Sequence, residues 1–502
     1  MYSVAPQAIK LADSLAGSEY GISELTLMKN AASACFNALY GKISSKDSIV
    51  ILCGKGNNGG DGYELCRILK KEWFNVTCIN VFDCEPSTQT AKAVYNNLLT
   101  EGVTILTSNE APIAIKNASV IIDAIFGVGF YGSIEKNSTT AKLISLCNSN
   151  DNCLRVAIDA PSGINCLDGT VKGTAFSAHL TLTLAFYKTG TLSYPAREYC
   201  GKIQLLKIGF PKELEEKIPK HALIPDFEYI KSVLPKRPAN THKGNYGRLL
   251  MFCASEFMTG AGILAANAAL RSGVGLLNIA RDIHTLKILQ HHLTEPVFSP
   301  IDTASESAEN DLISLSQKAT AILIGCGLGN CEHDKKAVFS LISTSQKPII
   351  LDADGINAVS QNIMVLKEAK EVAILTPHPL EFSRLTGKSV EEIQADRINL
   401  ATSFSKQYGC VLILKGACTV IAGPEGELAV CTCGGAGLSK GGSGDVLAGL
   451  CSSLRAQGMS AFDSAVCSVF LHAKAADILS SEISSSGFLP SDLPLAIAKL
   501  LP

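Results

Sequence analysis

Short apolar runs alternate with amphipathic segments along most of the chain. In the first half the runs are IVILC, VTCINVF, SVIIDAIF, RVAID, LTLTLAF and IQLLKIGF, which are rich in β-branched residues. The segment ELTLMKNAASACFNAL at 24–39 instead places apolar residues at helical spacing. Strands that alternate with helices in this way predict an α/β fold with a parallel sheet covered on both faces.

The alternation is interrupted at residues 211–240 and then starts again. This segment, PKELEEKIPKHALIPDFEYIKSVLPKRPAN, carries five prolines and many charges without a sustained apolar period, so it predicts a linker. The runs GRLLMFCAS, GLLNIAR, AILIGCG, KPIILDADG, VAILTPH and VLILKGACTVIAG follow it. We therefore predict two α/β domains, residues 1–215 and 225–502.

The composition and charge limit the classes of protein to which this chain can belong. With 502 residues the chain is too long for one ordinary core, and 47% hydrophobic with 18% charged residues is typical of globular proteins. The 44 basic and 46 acidic residues leave a net charge of −2, so no overall field favours a nucleic acid or an anionic membrane. We expect small-molecule partners, with no nucleic acid and no membrane.

The cysteines and the N-terminus indicate a compartment. The 18 cysteines are scattered among apolar positions without a C-x-x-C motif, which is typical of small core residues under reducing conditions. Lys10 and Asp13 stand where a signal peptide would need its apolar region, and Arg271 interrupts a longer apolar run. We expect a soluble cytoplasmic chain.

Polar residues follow three of the strands predicted in the first half. GKGNNGGDG at 54–62 follows IVILC, Asp123 ends VIIDA, and Asp159 and Ser162 lie in VAIDAPSG. Because the carboxyl ends of parallel strands share one edge of a sheet, these residues are expected to line a ligand site. Asn58, Asp123 and Ser162 offer only oxygen ligands, which suit a hard cation, and Asp159 remains a candidate acid or base.

Two interpretations of the glycine loop stay open at this point. GKGNNG matches the G-x-G-x-x-G pattern between a strand and a helix, as in a dinucleotide cofactor site, yet it equally fits a site that acts on the dinucleotide itself. Asp, Asn and Gly after strands are also ordinary turn formers. Three such loops at one edge, with glycines in NNGGDG and GVGFYG, favour a pyrophosphate site.

A second constellation lies near the C-terminus. In LSKGGSGDVLAGL, the glycine-rich stretch 441–444 precedes a helix predicted to start at Asp445, which would make an anion hole beside a carboxylate that can take a proton. HKGNYGR, CGLG, TPHPLEF and KGACT accompany it, and together with GGSGD they indicate a nucleotide and substrate cleft. Read separately, Asp445 is a helix-start carboxylate, His378 a loop histidine and Lys415 a solvated cation. No Walker A motif, H-E-x-x-H or nucleophile elbow appears.

The two motif sets resemble two known enzyme domains. NNGGDG, IDAIFGVGFYG and IDAPSG resemble the NAD(P)H-hydrate epimerase domain. HKGNYGR, TGAG, CGLG, TPHPLEF, LKGACT and GGSGDVLAG resemble the ribokinase-like NAD(P)H-hydrate dehydratase domain. Their order is similar to that of the bifunctional NAD(P)H-hydrate repair enzymes. The resemblance implies an α/β protein in which a Rossmann-like three-layer domain precedes a ribokinase-like α/β domain.

For the first domain the resemblance implies interconversion of the R and S epimers of hydrated NADH and NADPH (NADHX and NADPHX). It implies potassium held by Asn58, Asp123 and Ser162, and Asp159 as a catalytic residue. The implied substrate residues are Asn57, Asn58, Gly59, Gly60, Asp61, Gly127, Val128, Gly129, Phe130, Tyr131, Gly132, Ser133 and Asp159.

For the second domain the resemblance implies removal of water from the S epimer with ADP or ATP as co-substrate and Mg²⁺. Asp445 would deprotonate the ring hydroxyl, and the hydrate would contact Ala261, Gly327, Gly329, His378 and Asp445. The implied nucleotide residues are Lys415, Gly416, Ala417, Cys418, Thr419, Ala436, Gly437, Leu438, Ser439, Lys440, Gly441, Gly442, Ser443 and Gly444. We also expect a homo-oligomer.

Two positions depart from the family pattern. Lys29 in LMKNAA stands where an acid is usual, and CTCGGAGL at 431–438 lacks the usual asparagine before its second glycine group. Two alternatives also remain open from the residues. The glycine-rich loop before Asp445 also serves kinases of small alcohols, and the first domain could be a non-catalytic binder of nucleotides or of a partner.

Overall fold

The computed structural model describes residues 1–502 and divides them into two compact units. The N-terminal unit comprises Tyr2–Ala222, and the C-terminal unit comprises Leu223–Pro502 together with Met1. The boundary lies inside the segment 211–240.

The N-terminal unit is built on a parallel sheet with strand order β4-β3-β2-β5-β6-β7-β9. Strand β1 pairs in parallel with β8 outside this sheet. The strands are β1 (Tyr2–Val4), β2 (Ser48–Cys53), β3 (Asn75–Asn80), β4 (Ile105–Leu106), β5 (Val120–Ala124), β6 (Leu154–Ile158), β7 (Leu180–Leu184), β8 (Tyr187–Lys188) and β9 (Lys202–Leu206). The helices are α1 (Pro6–Tyr20), α2 (Glu24–Leu39), α3 (Asn57–Lys71), α4 (Gln89–Thr100), α5 (Ala111–Lys116), α6 (Thr139–Asn148), α7 (Ala196–Tyr199) and α8 (Lys212–Lys217).

Alternate residues of the central strands enter two different cores. Ile49 and Ile51 pack with residues of α2, α3 and α4. Val50 and Leu52 pack with residues of α5 and α6 on the other face. Since successive side chains of a strand point to opposite faces, an unbroken apolar run such as SIVILC belongs to a sheet covered on both sides. The predicted three-layer α/β fold is confirmed.

The C-terminal unit is also built on a mainly parallel sheet, but with a different strand order. Strands β13-β12-β11-β14-β15-β16-β17 are parallel in that order, and β18 and β19 continue the sheet antiparallel. The remaining strands are β10 (Ala222–Leu223), which contains the boundary between the units, β11 (Arg248–Phe252), β12 (Leu276–Arg281), β13 (Val297–Pro300), β14 (Ala321–Ile324), β15 (Ile349–Leu351), β16 (Ile374–Leu375), β17 (Val411–Leu414), β18 (Thr419–Ala422) and β19 (Leu428–Cys431).

The helices of the C-terminal unit pack on both faces of this sheet or against one another. They are α9 (Phe227–Val233), α10 (Thr259–Arg271), α11 (Ile283–Gln290), α12 (Ala308–Lys318), α13 (Glu332–Thr344), α14 (Asp354–Val359), α15 (Pro379–Thr386), α16 (Val390–Ala395), α17 (Arg397–Tyr408), α18 (Ser443–Ala456), α19 (Ala461–Glu482) and α20 (Leu493–Ala498). Helix α18 carries the candidate base Asp445 in its first turn and is almost entirely buried.

The segment predicted to be a linker is folded. Leu214 and Ile218, in and just after α8, are buried in a core of the N-terminal unit. Ile230 and Leu234, in and just after α9, are buried in a core of the C-terminal unit. Each helix is only one or two turns long, so the sequence shows no sustained period there. The segment 211–240 thus contains short packed helices on either side of the boundary between the units.

The cysteines and the helix lengths complete the description. All 18 cysteines are free, and most of them are buried, as the sequence predicts for small core residues. No helix combines the length and the apolar character needed to cross a bilayer.

Candidate active sites

A cavity of about 610 Å³ opens at the carboxyl ends of β2, β5, β6 and β7. We call it the N-terminal cavity. The structure brings to its wall nine of the residues predicted to hold substrate: Asn57, Asn58, Asp61, Gly127, Val128, Gly129, Phe130, Tyr131 and Asp159. Three loops that are far apart in the sequence therefore meet at one sheet edge, as parallel strands require.

The other four residues predicted to hold substrate are not part of the cavity wall. A Cβ on Gly59 would lie 1.9 Å from the carbonyl oxygen of Gly54, and one on Gly60 would lie 2.5 Å from Met28 Cε. These two glycines therefore permit close packing of α3. Gly132 has a φ of 117°, and Ser133 lies next to Gly173.

Asp159 is held by several donors at the end of β6. Its backbone is left-handed, with a φ of 67°, a conformation that is strained for aspartate. Its carboxylate accepts hydrogen bonds from the amides of Val128 (3.1 Å) and Leu184 (3.3 Å) and from the ammonium of Lys188. The side chain is therefore oriented before any ligand arrives.

Lys188 is a buried cation that sequence reading missed. Its side chain is 1% exposed, and besides Asp159 its ammonium donates to Thr183 Oγ1 (2.9 Å) and to the carbonyl of Leu184 (2.8 Å). A lysine in YKTG at the end of a strand carries no local signal of this pairing. Its role depends on β8 returning beside Asp159.

Two further carboxyls sit near this ion pair. Burial raises the pKa of Asp61 well above its usual value, and the nearby charges of Asp159 and Asp13 add to the effect. Burial, with the charges of Glu24 and Asp159, raises the pKa of Asp13 to about 6. The N-terminal cavity thus combines carboxyls of raised pKa with an ion pair, as acid–base chemistry requires.

The three residues predicted to bind potassium lie beside this cavity. Asp123 accepts hydrogen bonds from the backbone amide and the hydroxyl of Ser162, both at 2.7 Å. The Ser162 oxygen in turn lies 3.3 Å from the carbonyl oxygen of Phe126. The side-chain oxygen and nitrogen of Asn58 are buried without a hydrogen-bond partner. The Asn58 side chain lies against Gly127, the residue after Phe126, and its buried amide oxygen without a partner fits a ligand of a hard cation.

In the C-terminal unit, Asp445 lies at the N-terminus of α18 next to two buried groups. Oxygen atoms of Asp445 and Asp352 and the sulfur of Cys326 lie within 4.8 Å of one another. Burial, and then the charge of Asp352, raises the pKa of Asp445 to about 6. At neutral pH this carboxyl is ionised yet basic enough to accept a proton.

Lys415 reaches into the same site from the end of β17. Its ammonium donates to Asp352 (2.9 Å) and lies 3.9 Å from Glu381. A Cβ on Gly444 would lie 3.2 Å from that ammonium. The cation therefore sits beside the amides that open α18, where an anion would be bound.

Side chains of Arg397 and Thr419 stabilise the loop that carries Lys415. The guanidinium of Arg397 donates to the carbonyls of Leu414 (2.9 Å) and Lys415 (3.2 Å), and it packs against Gly416, whose φ is 145°. Thr419 Oγ1 donates to the carbonyl of Gly416 at 3.0 Å. The predicted nucleotide segment Lys415–Thr419 is therefore a supported loop rather than a free one.

The second predicted nucleotide segment, 436–444, runs directly into α18. Its glycines have packing reasons: a Cβ on Gly442, where φ is 102°, would lie 2.6 Å from Leu264, and one on Gly437 would lie 2.4 Å from Phe488. The ammonium of Lys440 donates to the carbonyls of Ser486 (3.0 Å) and Phe488. Lys440 thus anchors this loop to the chain instead of presenting a free cation.

The residues predicted to face the hydrate come from four segments: α10, the loop after β14, the start of α15 and the start of α18. A Cβ on Gly327, where φ is 64°, would lie 2.8 Å from Ala261 Cβ, so these two residues are neighbours. Gly329 donates its amide to Asp354 at 2.8 Å. His378 caps α15, accepting at Nδ1 from the amide of Leu380. Burial, and then Lys415, lowers its pKa, so it is neutral at physiological pH.

One predicted member of this group lies elsewhere. HKGNYGR contains the 3₁₀ turn Lys243–Tyr246 and precedes β11, so it sits at the amino edge of the sheet. Gly247 there packs against the carbonyl of Ala456 at the far end of α18. The expectation that HKGNYGR joins the cleft was wrong.

Comparison with known proteins adds to this geometry. Residues 24–190 match the family described as YjeF-related protein N-terminus, and residues 249–499 match the family described as NAD(P)H-hydrate dehydratase. The bifunctional NAD(P)H-hydrate repair enzyme Nnr of Coxiella burnetii is 34% identical over 475 residues, covering 95% of this chain and 94% of that protein. The chain belongs to the family of bifunctional NAD(P)H-hydrate repair enzymes.

Other members and a solved structure agree with this family. The Escherichia coli enzyme of the same name is 32% identical over 94% of this chain and 88% of that protein. The ADP/ATP-dependent NAD(P)H-hydrate dehydratase of Bacillus subtilis, crystallised with ATP and Mg²⁺, is 30% identical with a TM-score of 0.50, covering 56% of this chain and 97% of its own. The predicted ribokinase-like C-terminal fold is confirmed. The family supports the repair enzyme and not the small-alcohol kinase.

Within this family, the departure at Lys29 is confined to the surface. Lys29 is exposed on α2 and does not line the N-terminal cavity, whereas Met28 and Glu24 from the same helix do. The cavity also receives Lys10 and Lys55, two cations that the sequence analysis did not assign to it. Both suit the phosphates of a dinucleotide.

Proposed function

We propose that the chain repairs hydrated NADH and NADPH in two reactions. The N-terminal unit interconverts the R and S epimers of NADHX and NADPHX. The C-terminal unit removes water from the S epimer at the expense of ADP or ATP. The observation that carries the proposal is the placement of Asp445 and Lys415 together at the N-terminus of α18, which joins a base, a cation and an anion site.

Dehydration is difficult because hydroxide is a poor leaving group. Asp445 takes the proton of the ring hydroxyl while that oxygen attacks the terminal phosphoryl group of the nucleotide. The amides at the start of α18 and the ammonium of Lys415 offset the charge on the transferring group. The lone pair of the ring nitrogen then expels phosphate, and loss of a ring proton yields the reduced nicotinamide. One nucleotide is consumed for each molecule repaired.

The nucleotide is proposed to lie between the two supported segments, Lys415–Thr419 and 436–444. Glycine at 416, with its φ of 145°, leaves backbone accessible to a ligand. We assign Mg²⁺ to the phosphates of the nucleotide, since this ion keeps few protein ligands in such sites. The helix dipole of α18 adds to the binding of the phosphates.

Epimerisation requires that the ring carbon lose its hydroxyl on one face and regain one on the other. We propose that Asp61, whose burial favours its protonated form, helps the hydroxyl to leave as water, driven by the ring nitrogen lone pair. Asp159, held by Lys188, takes a proton from the water that returns on the opposite face. The proton on Asp159 then returns to Asp61, which restores both groups, so the step consumes no co-substrate.

Potassium is proposed to bind Asn58, Asp123 and Ser162. The buried, unpartnered oxygen of Asn58 is the structural support for this assignment. The ion would supply positive charge beside the loop that binds the pyrophosphate. Burial raises the pKa of Asp123 to about 6, although the hydrogen bonds from Ser162 act against this, and a cation there would keep the carboxylate ionised.

The test is a progress curve with purified chain and an equilibrium mixture of R and S hydrates. With ADP or ATP and Mg²⁺, the absorbance of reduced nicotinamide should return for the whole mixture, and without nucleotide it should not. Phosphorylation of a small alcohol without any action on the hydrates would instead indicate the kinase and overturn the proposal.

A further inference from the structure

The carboxylate of Asp445 does not stand alone in the dehydratase site. Cys326 follows β14, Asp352 follows β15, and their polar atoms lie within 4.8 Å of those of Asp445 on α18. Cys326 is 0% exposed and Asp352 is 2% exposed. Two carboxylates and a thiol are thus packed together where water has little access, so each is sensitive to the charge of the others.

Asp352 is the fixed member of this cluster. One of its oxygens accepts hydrogen bonds from Thr376 Oγ1 (2.5 Å) and from the ammonium of Lys415 (2.9 Å). The other oxygen lies 3.6 Å from the sulfur of Cys326. Three donors around this buried carboxylate hold it in one orientation.

The sulfur of Cys326 lies 3.6 Å from an oxygen of Asp352 and within 4.8 Å of an oxygen of Asp445. Hydrogen bonding with Cys253, followed by burial and the nearby acids, raises the pKa of the Cys326 thiol well above its usual value. The group therefore keeps its single proton at physiological pH and can donate it to Asp352 or to Asp445. Donation to Asp445 favours the ionised carboxylate, and contact with Cys326 acts in that direction on the pKa of Asp445.

We propose that Cys326 and Asp352 are positioning residues for dehydration, with the Cys326 thiol orienting the ionised Asp445 and Asp352 keeping it basic. The proposal rests on the role of Asp445 proposed above. When Asp445 has taken the proton of the ring hydroxyl, the thiol turns its own proton to Asp352, so no proton leaves the cluster. The thiol breaks no covalent bond in this exchange.

The same three residues have the spacing of metal ligands, but the surroundings favour hydrogen bonding. A metal needs a thiolate, and the raised pKa of Cys326 opposes it. Lys415 already supplies positive charge to Asp352. The ionisable groups that face this cluster from the neighbouring segments are Cys253, Asp354, His378, Glu381 and Lys415, and His472 faces Lys415.

The experiment measures kcat/KM for the S hydrate, with saturating ADP or ATP, as a function of pH from 5 to 9. In Cys326→Ala the acid limb should move upward by roughly half to one pH unit, since Asp445 loses a weak donor to its charged form. Cys326→Ser retains a donor and should keep the wild-type limb or lie slightly below it. In Asp352→Asn the limb should move downward, because the like charge that raises the pKa of Asp445 is gone.

Cys410→Ala is the matched control, because Cys410 is a buried cysteine of the same unit that lies outside the site. It should leave the limb in place. A merely structural role for Cys326 would lower the rate in Cys326→Ala without moving the limb, and that result would overturn the proposal. An unmoved or raised limb in Asp352→Asn would do the same. If the wild-type chain does not dehydrate the hydrate at all, the proposed function itself has failed, and the inference fails with it.

Discussion

Replacing Asp445 by asparagine separates catalysis from stability more sharply than other substitutions in this chain. The change keeps the shape of the side chain but removes the base. Loss of a general base lowers the rate by about 10²–10⁴-fold, so dehydration in Asp445→Asn should fall by that factor. Epimerisation should continue, because Asp159 and Lys188 lie in the other unit.

The same substitution should stabilise the C-terminal unit above pH 6. The pKa of Asp445 rises from its usual 3.8 to about 6 in the folded chain, first because of burial and then because of Asp352. The folded state therefore binds this proton more tightly than the unfolded state, and wild type loses stability as pH rises from 4 to 6. At about 1.4 kcal/mol for each pKa unit, the ionised carboxylate costs up to about 3 kcal/mol at pH 7.

Asparagine carries no such cost, so its stabilising effect should appear near pH 5 and be complete by pH 8. Thermal unfolding of the full chain across this range measures it. Asp282→Asn is an instructive control in the same unit. Although burial acts against it, hydrogen bonds from Thr285 and the nearby amides lower the pKa of Asp282, so that substitution should destabilise at pH 8. A less stable Asp445→Asn at pH 8, or one with wild-type dehydration, would refute the reasoning.

Three further outcomes follow from the N-terminal unit. Lys188→Met should slow epimerisation by at least about 10²-fold, because Asp159 loses its buried partner. Dehydration of pure S hydrate should stay normal. Normal epimerisation in this variant would show that Lys188 has no part in the mechanism. Relative to a large inert cation, potassium should raise epimerase activity and the thermal midpoint of the N-terminal unit. Asn58→Ala should abolish both responses, and responses equal to those of wild type would contradict the assigned site. Full-length Asp159→Asn should consume the S hydrate and then slow to spontaneous epimerisation, and added full-length Asp445→Asn should restart it; failure of that rescue would contradict separate sites.

Much of the fold could be predicted from the sequence because the strands of both sheets appear in it as unbroken apolar runs. SIVILC and VIIDA are strands buried on both faces, and the loops after them carry the motif residues to one edge. The segment 211–240 could not be read this way. Its helices are too short for a periodic pattern, and their few apolar residues are buried by packing on larger units.

Site residues could be predicted only where a motif ends a strand, as for Asp123 and Asp159, or opens a helix, as for Asp445. Lys188 and Asp13 were missed because one lies on a short strand and the other on the first helix, and only the fold brings them to Asp159. The prediction for HKGNYGR was wrong for the opposite reason. Its glycines suggest a ligand loop, but because the motif precedes β11 it lies at the amino edge of the sheet.

In each unit one buried lysine pairs with one of several acidic groups that lie close together. Each site needs an ionised carboxylate and a second acidic group close by, and low dielectric makes that pairing costly. In the N-terminal unit Lys188 pairs with Asp159, and Asp13 and Asp61 keep raised pKa values. In the C-terminal unit Lys415 pairs with Asp352, and Asp445 keeps a pKa of about 6. In both sites a lysine beside one carboxylate thus leaves a neighbouring carboxyl with a raised pKa. Because each lysine lies at the end of a strand that is distant from its partner in sequence, this arrangement arises from topology and not from any local motif.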